Sequence, residues 1–271
     1  MAPRPKVTGQ TLVEMKRRGE RIAVLTAYDH ATALIQDRAG IDVMLVGDSV
    51  GMVVLGYENT IPVTIDEMVH HLRAVTRARP RAMVVGDLPF MSYQAGIADA
   101  VRNAGRLVKE GGAEAVKLEG GKRMEPVIRA IIDAAIPVMG HLGLTPQSLH
   151  QLGGYRVQGK DPRDAERLVE EAKLLESYGC FAIVVEGMPW QVAQRITGAI
   201  AIPTIGIGAG PHCDGQVLVV NDLLGMNDEF APRFVKRYAD VGKQMASAFE
   251  AYIEDVKAGR FPDLDHSYTS D

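Results

Sequence analysis

The chain has two cysteines in 271 residues, Cys180 and Cys213, and they form no CxxC pair. That excludes a disulfide-dense scaffold and a CxxC redox or zinc motif. It favours a reduced, cytoplasmic setting. Cys180 sits beside a strand-like apolar run and reads as a small core residue. No run approaches the ~20 apolar residues that a membrane helix needs. The opening MAPRPKVTGQ lacks the apolar core of a secretory signal. A basic excess is also missing: Lys+Arg 30 against Asp+Glu 34 gives a net charge of -4 and a pI near 6.0, which argues against a nucleic-acid surface. HExxH and GxxxxGK[ST] do not occur, so the commonest zinc-protease and P-loop signatures are excluded. The glycine cluster GIGAG (206–210) lacks GxGxxG spacing and runs straight into Pro211. It leaves two readings, a tight turn after a strand or an anion-binding loop. The basic stretch RARPR (77–81) ends a helical segment, where its charge suits the helix dipole. Linkers, internal repeats and low-complexity segments are absent.

What is present is an ordinary globular composition, 46% hydrophobic and 24% charged. Eight short, mostly continuous apolar runs recur: RIAVLTA (21–27), IDVMLVG (41–47), AMVVGD (82–87), EAVKLEG (114–120), PVMGHLG (137–143), FAIVVEG (181–187), PTIGIGA (203–209) and QVLVV (216–220). Continuous rather than alternating apolarity suits parallel strands covered on both faces. Helical patterns separate most of them, near 30–39, 64–78, 95–110, 124–135, 161–179 and 189–197. Thr64 and Glu67 form a capping-box pattern, and Gly179 stops its helix. The link between the last two runs is too short for a helix. Eight strand–helix units in a chain of this length predict a single α/β domain over 1–271, a (β/α)8 TIM barrel. The doubly wound open sheet competes, and spacing alone leaves it open. A 3.6-residue apolar period from Pro232 to Gly259 predicts a last helix, with a short polar tail from about 262.

Barrel chemistry sits at the C-terminal ends of the strands. There the sequence places Asp48 with Ser49, then Asp87, Lys117 with Glu119, His141, and Glu186. Any one acid at a strand end can be a turn or cap residue, and Asp222 near the last strand stays in that class. Four acids converging on one mouth repel each other unless a cation or protons intervene. An all-oxygen set with no paired Cys or His suits a hard ion, Mg2+. Magnesium needs only one or two of these carboxylates, which frees one for proton transfer. Lys117 and Glu119, two apart, share a face; Lys117 is then a partner for the acids, a ligand for a substrate anion, or both. His141 is either a structural histidine or a donor to a substrate oxygen. The segments 50–63 and 142–160 are long enough to be binding loops or lids.

Several long strings resemble the ketopantoate hydroxymethyltransferase family: VGDSVGMVVLGYENTIPVTIDEM (46–68), GDLPFMSY (86–93), AVKLEGG (115–121), GHLGLTPQSLHQLGGYRVQGK (140–160), VVEGMP (184–189) and PTIGIGAGPHCDGQVLV (203–219). The resemblance runs from about 6 to 260. It implies a barrel of the phosphoenolpyruvate/pyruvate-binding type and transfer of a one-carbon unit from 5,10-methylenetetrahydrofolate to 3-methyl-2-oxobutanoate, giving 2-dehydropantoate in pantothenate biosynthesis. It implies Asp48, Asp87 and Glu119 as magnesium ligands, Glu119 directly or through water. Asp48, Ser49, Asp87 and Lys117 become keto-acid contacts and Glu186 the proton acceptor. Members of the family are homo-oligomers, commonly decamers, with no nucleic-acid or membrane partner. The alternative is a Mg2+-dependent C–C lyase or decarboxylase acting on another 2-keto acid with the same carboxylates. In a different class is a non-enzymatic binder whose acid cluster serves only stability, a costly use of four carboxylates.

Overall fold

Eight parallel strands hydrogen-bond in chain order and the last pairs with the first, so the sheet closes. The computed structural model describes residues 5–227 and 232–270. The chain forms two units, Met1–Val219 and Val220–Asp271.

The first unit is the barrel. Helix α1 (Gly9–Arg18) leads into β1 (Ile22–Thr26), α2 (His30–Ala39), β2 (Val43–Val46), the single turn α3 (Val50–Val53) and α4 (Ile65–Thr76). Then follow β3 (Met83–Asp87), α5 (Ile97–Lys109), β4 (Ala115–Lys117), α6 (Glu125–Asp133) and β5 (Val138–Gly143). The unit ends with the short α7 (Leu149–Leu152), α8 (Pro162–Tyr178), β6 (Ala182–Glu186), α9 (Trp190–Ala199), β7 (Thr204–Ile207) and β8 (Gly215–Leu218). The closed sheet excludes the doubly wound alternative, and the β7–β8 link carries no helix, as its length predicts.

Local chemistry explains the helix boundaries. At α4, the Glu67 amide donates to Thr64 Oγ1 at 3.2 Å and the Thr64 amide donates to Glu67 Oε2 at 2.7 Å, the reciprocal cap read from the sequence. Asp161 caps α8, Pro162 opens it, and Gly179 ends it in the left-handed conformation at φ +101°. Gly210, within the GIGAG cluster, has φ +79°, and a Cβ there would lie 2.2 Å from Trp190 Cβ. A tight turn against Trp190 accounts for that glycine.

Alternation along the strands builds the interior in layers. Ile22 and Val24, Val43 and Leu45, Met83 and Val85, Ala115, Met139, Ala182 and Val184, Ile205 and Val217 form one buried apolar cluster, and Leu12 and Met15 of α1 join it. Sequence reasoning passed over α1. Its signals are a Thr8–Thr11 capping box and Gly19 at φ +69°. Two residues further along the same strand faces, the side chains become Asp87 after Val85, Lys117 after Ala115, His141 after Met139 and Glu186 after Val184. The interior therefore changes from apolar to ionic at one level. Cys180 and Cys213 are both free and buried, and burial pushes the Cys180 thiol up to about 12.

In the second unit, α10 (Val220–Leu223) contains Asn221 and Asp222, so β8 ends at Leu218 and these residues do not terminate a strand. The last helix, α11, spans Val241–Lys257 and starts later than the periodicity from Pro232 predicts. The amides of Tyr238 and Val241 donate to the carbonyls of Leu223 and Leu224 at 2.9 Å each, which ties this stretch to α10 instead of to its own helical turn. Residues 228–231 of the predicted segment's approach lie outside the described residues. Beyond α11, Leu264–His266 form one 3-10 turn capped by Asp263, and the rings of Phe261 and Tyr252 meet edge-on with centroids 5.8 Å apart.

Candidate active site

Parallel pairing places Asp87 of β3 opposite Lys117 of β4, and Gly143 of β5 opposite Glu186 of β6. The first register brings Lys117 Nζ to 2.5 Å from Asp87 Oδ1, with both side chains nearly sealed from solvent. Asp48, two residues past β2, offers its own amide to Asp87 Oδ2 at 3.3 Å. Gly47 leaves the space this needs: a Cβ would sit 2.9 Å from Ser49 Oγ and 3.5 Å from Asp87 Oδ2. Across the mouth, His141 stands between two acids, with Nε2 3.1 Å from Glu186 Oε2 and Nδ1 3.5 Å from Glu119 Oε1. Neither ring nitrogen has a well-aligned hydrogen bond. Every residue the sequence proposed for the site is thus placed at the barrel mouth. Glu186 is set apart among the carboxylates there: its side chain is 16% exposed, against 3% for Asp87 and for Glu119.

Several partners escaped sequence reasoning. Gln147 is buried on the loop after β5. Its Nε2 donates to Asp48 Oδ2 and to the Leu88 carbonyl, both at 2.9 Å, and its amide donates to Glu119 Oε2 at 3.0 Å. Tyr93 donates its hydroxyl to Gln147 Oε1 at 2.7 Å and accepts the Glu119 amide at 3.2 Å. Tyr28 hydrogen-bonds Ser49 Oγ at 2.8 Å. Tyr155 reaches from 142–160 to Met52 Sδ in 50–63 at 3.7 Å, so the two long loops meet. The signal for Tyr28 was its place two residues beyond Thr26, on the same face of the strand. Gln147 and Tyr93 lie on loops, where no period shows which way a side chain turns.

The electrostatics describe a site short of positive charge. Burial, then Asp87 and Glu119, push the Asp48 carboxyl up to about 8. Burial and Lys117 both work against the charge on His141, yet Glu119 and Glu186 outweigh them and push it up to about 9. Lys117 is raised too, because Asp87, Asp48 and Glu119 overcome the cost of its burial. Burial foremost, then the carboxylates Asp48, Glu186 and Glu119, raise the Tyr155 phenol. Fully ionised, the four carboxylates would exceed Lys117 and a protonated His141 by two negative charges; the proton that Asp48 keeps in the metal-free site reduces that excess, and a divalent cation would offset it in the proton's place. Among the described residues, no three acids, histidines or cysteines close into a ready-made metal cage. Magnesium suits such a site, since it takes one or two carboxylates and fills its octahedron with water and substrate oxygens.

A pH dependence follows. For Asp48 the folded value of about 8 lies above the unfolded ~3.9, so the folded state holds the extra proton between those values and stability falls as pH rises through that window. His141 acts in the same direction: its stabilisation is complete below ~6.5 and is lost as pH rises through about 9. Chelator-treated protein should therefore melt at a lower temperature at pH 8 than at pH 5.5. Added Mg2+ should raise the melting temperature more at pH 8, where it need not displace a proton. Calorimetry across this range, with and without Mg2+, checks both; a metal-free melting temperature that climbs from pH 5.5 to 8 would contradict the cluster's charge balance.

Residues 6–264 match the sequence model of a family described as ketopantoate hydroxymethyltransferase. The 3-methyl-2-oxobutanoate hydroxymethyltransferase of Moorella thermoacetica is 59% identical over 268 residues, covering 99% of this chain and 100% of that one. Among solved structures, 2,3-dimethylmalate lyase, a PEP mutase/isocitrate lyase superfamily member, superposes with a TM-score of 0.61 at 18% identity, covering 98% of this chain and 93% of that one. Phosphonopyruvate hydrolase in complex with oxalate and Mg++ does so with a TM-score of 0.59 at 12% identity, covering 96% and 93%. At these identities the two structures show a shared barrel fold.

Proposed function

The chain belongs to the ketopantoate hydroxymethyltransferase family, and on that footing we propose how its barrel mouth transfers a hydroxymethyl group to 3-methyl-2-oxobutanoate to give 2-dehydropantoate. The observation that carries the mechanism is the contrast between Glu186, open to the mouth and 3.1 Å from His141, and the sealed acids beside it. Asp48, Asp87 and Glu119 would hold a magnesium ion, which would supply Lewis-acid polarisation of the substrate's keto oxygen. Ser49, oriented by Tyr28, presents its hydroxyl and backbone N–H to the substrate carboxylate. Lys117 and His141 add positive charge where negative charge grows on the substrate oxygens. Glu186 removes the proton from C3. The C3 carbanion bonds to the methylene carbon of 5,10-methylenetetrahydrofolate as that carbon's bond to one folate nitrogen breaks. Water displaces the other nitrogen and supplies the hydroxyl, and the two nitrogens take up one proton from C3 and one from water as tetrahydrofolate leaves. Gln147 holds Asp48 and Glu119 in place from a second layer.

The protein works in the cytoplasm as a homo-oligomer, a decamer in this reading. Support for assembly comes from α11, none of whose residues is buried: Phe249 and Tyr252 are 57% and 59% exposed, a wet surface for large apolar side chains. No helix among the described residues is long and apolar enough to cross a membrane.

Incubation with 3-methyl-2-oxobutanoate, 5,10-methylenetetrahydrofolate and Mg2+ tests the reading. The expected product is 2-dehydropantoate, its formation stopped by a chelator and restored by Mg2+. A lyase or decarboxylase would instead shorten a keto acid, and shortened products without hydroxymethylation would overturn the proposal.

A further inference from the structure

A cavity of about 820 Å3 adjoins the carboxylate cluster, formed by the loops after β3, β4 and β5 and by one face of α8. Volumes of roughly 300–1,000 Å3 suit ligands of cofactor size, and a short branched keto acid would leave most of this space unfilled. Three residues of its wall, Tyr93, Glu119 and Gln147, also border the ionic cluster, and Gln147 reaches Asp48 itself. A two-substrate carbon–carbon bond needs the donor carbon about 3–3.5 Å from the attacking carbon. A donor lying in this cavity would share a wall with the keto acid and meet that requirement without crossing solvent.

The lining combines apolar and basic side chains. Phe90, Met124 and Leu152 give it apolar surface. Lys122 and Arg123 line it too, both exposed and without an ion pair to any described residue. Arg167 brings no free charge, because Asp164 and Glu171 hold it. Lys122 and Arg123 lie three and four residues beyond Glu119, so the cations sit within roughly 10–14 Å of backbone from the cluster, plus the reach of a long side chain. An aromatic head toward the reaction centre and an anionic tail toward two unpaired cations is the polarity of a pteroylglutamate.

We propose that this cavity binds the reduced-folate donor, with the pterin against the Tyr93–Gln147 wall and the glutamate carboxylates at Lys122 and Arg123. The assignment rests on the reading above that 5,10-methylenetetrahydrofolate supplies the carbon. Calorimetric titration of the full chain with Mg2+ and tetrahydrofolate, as mono- and triglutamate, tests it. The K122E/R123E double variant changes two exposed side chains and should keep its melting temperature. It should bind tetrahydrofolate at least about tenfold more weakly, equivalent to about 1.4 kcal/mol, with a larger loss for the triglutamate. Ser148→Trp places bulk in the cavity without changing charge and should weaken both forms alike. Wild-type binding with both variants unchanged within about twofold would overturn the cavity assignment and leave the donor reading standing. Wild-type protein that binds no tetrahydrofolate, yet hydroxymethylates the keto acid with formaldehyde, would overturn both.

Discussion

Glu186→Gln is expected to retain Mg2+ affinity and lose exchange of the substrate's C3 hydrogen in D2O by about 10²–10⁴-fold, the usual weight of a positioned general base. The reason lies in how the mouth divides its ionisable groups. His141 stands between Glu186 and Glu119 and is pushed up to about 9, so at neutral pH it carries its proton and has no vacancy for another. Lys117 is charged and bonded to Asp87. Asp87 and Glu119 are sealed at 3% exposure. Glu186 alone combines a carboxylate with access to the mouth and with a cationic neighbour that can meet the proton's arrival. Glutamine keeps the volume beside His141, but it cannot accept the proton. Proton NMR of 3-methyl-2-oxobutanoate with protein and Mg2+ in D2O, without any folate, reads the step directly. Exchange at the wild-type rate in the variant would reassign the base; no exchange by active wild-type protein would remove the carbanion scheme.

The barrel and much of this site were legible in the sequence, and for one reason. Strand alternation is periodic, so once β3, β4, β5 and β6 are located, Asp87, Lys117, His141 and Glu186 follow two residues after interior apolar positions. Where period fails, so does the reading. Gln147 bonds Asp48 across 99 residues of chain, and Tyr93 bonds Gln147 across 54; such pairings depend on how two loops cross, which no local pattern encodes. The start of α11 was misplaced because Phe234, Val235 and Tyr238 keep a helical period while their backbone is tied to α10. Tertiary hydrogen bonds overrode an amphipathic pattern there. The Lys117–Asp87 pair was foreseen as one of two compatible roles for the lysine, and the parallel register brings the two side chains together.

That pair carries the largest expected effect on stability. Lys117→Met should cost the metal-free protein about 3–5 kcal/mol, the range for breaking a buried ion pair by removing one partner. Methionine fills most of the lysine's volume, so the loss reports charge rather than a cavity. It leaves Asp87 buried without its cation, beside Asp48 and Glu119. The cost should then depend on what else can neutralise those acids. Protons can: burial and its acidic neighbours already raise the Asp48 carboxyl to about 8, and removing Lys117 raises the cluster further. A carboxyl raised on folding favours the folded state as pH falls, so the penalty should shrink from pH 8 to pH 5.5. Magnesium can too, and saturating Mg2+ should narrow the gap between variant and wild type at pH 8. Adding Asp87→Asn should recover part of the loss in metal-free protein, because the double change removes the stranded charge along with its partner. Urea unfolding of wild type, both single variants and the double variant at both pH values, with and without Mg2+, measures each term. A single-variant cost under about 1 kcal/mol, the scale of an exposed pair, insensitive to pH and metal, would show that Lys117 does not hold the cluster together.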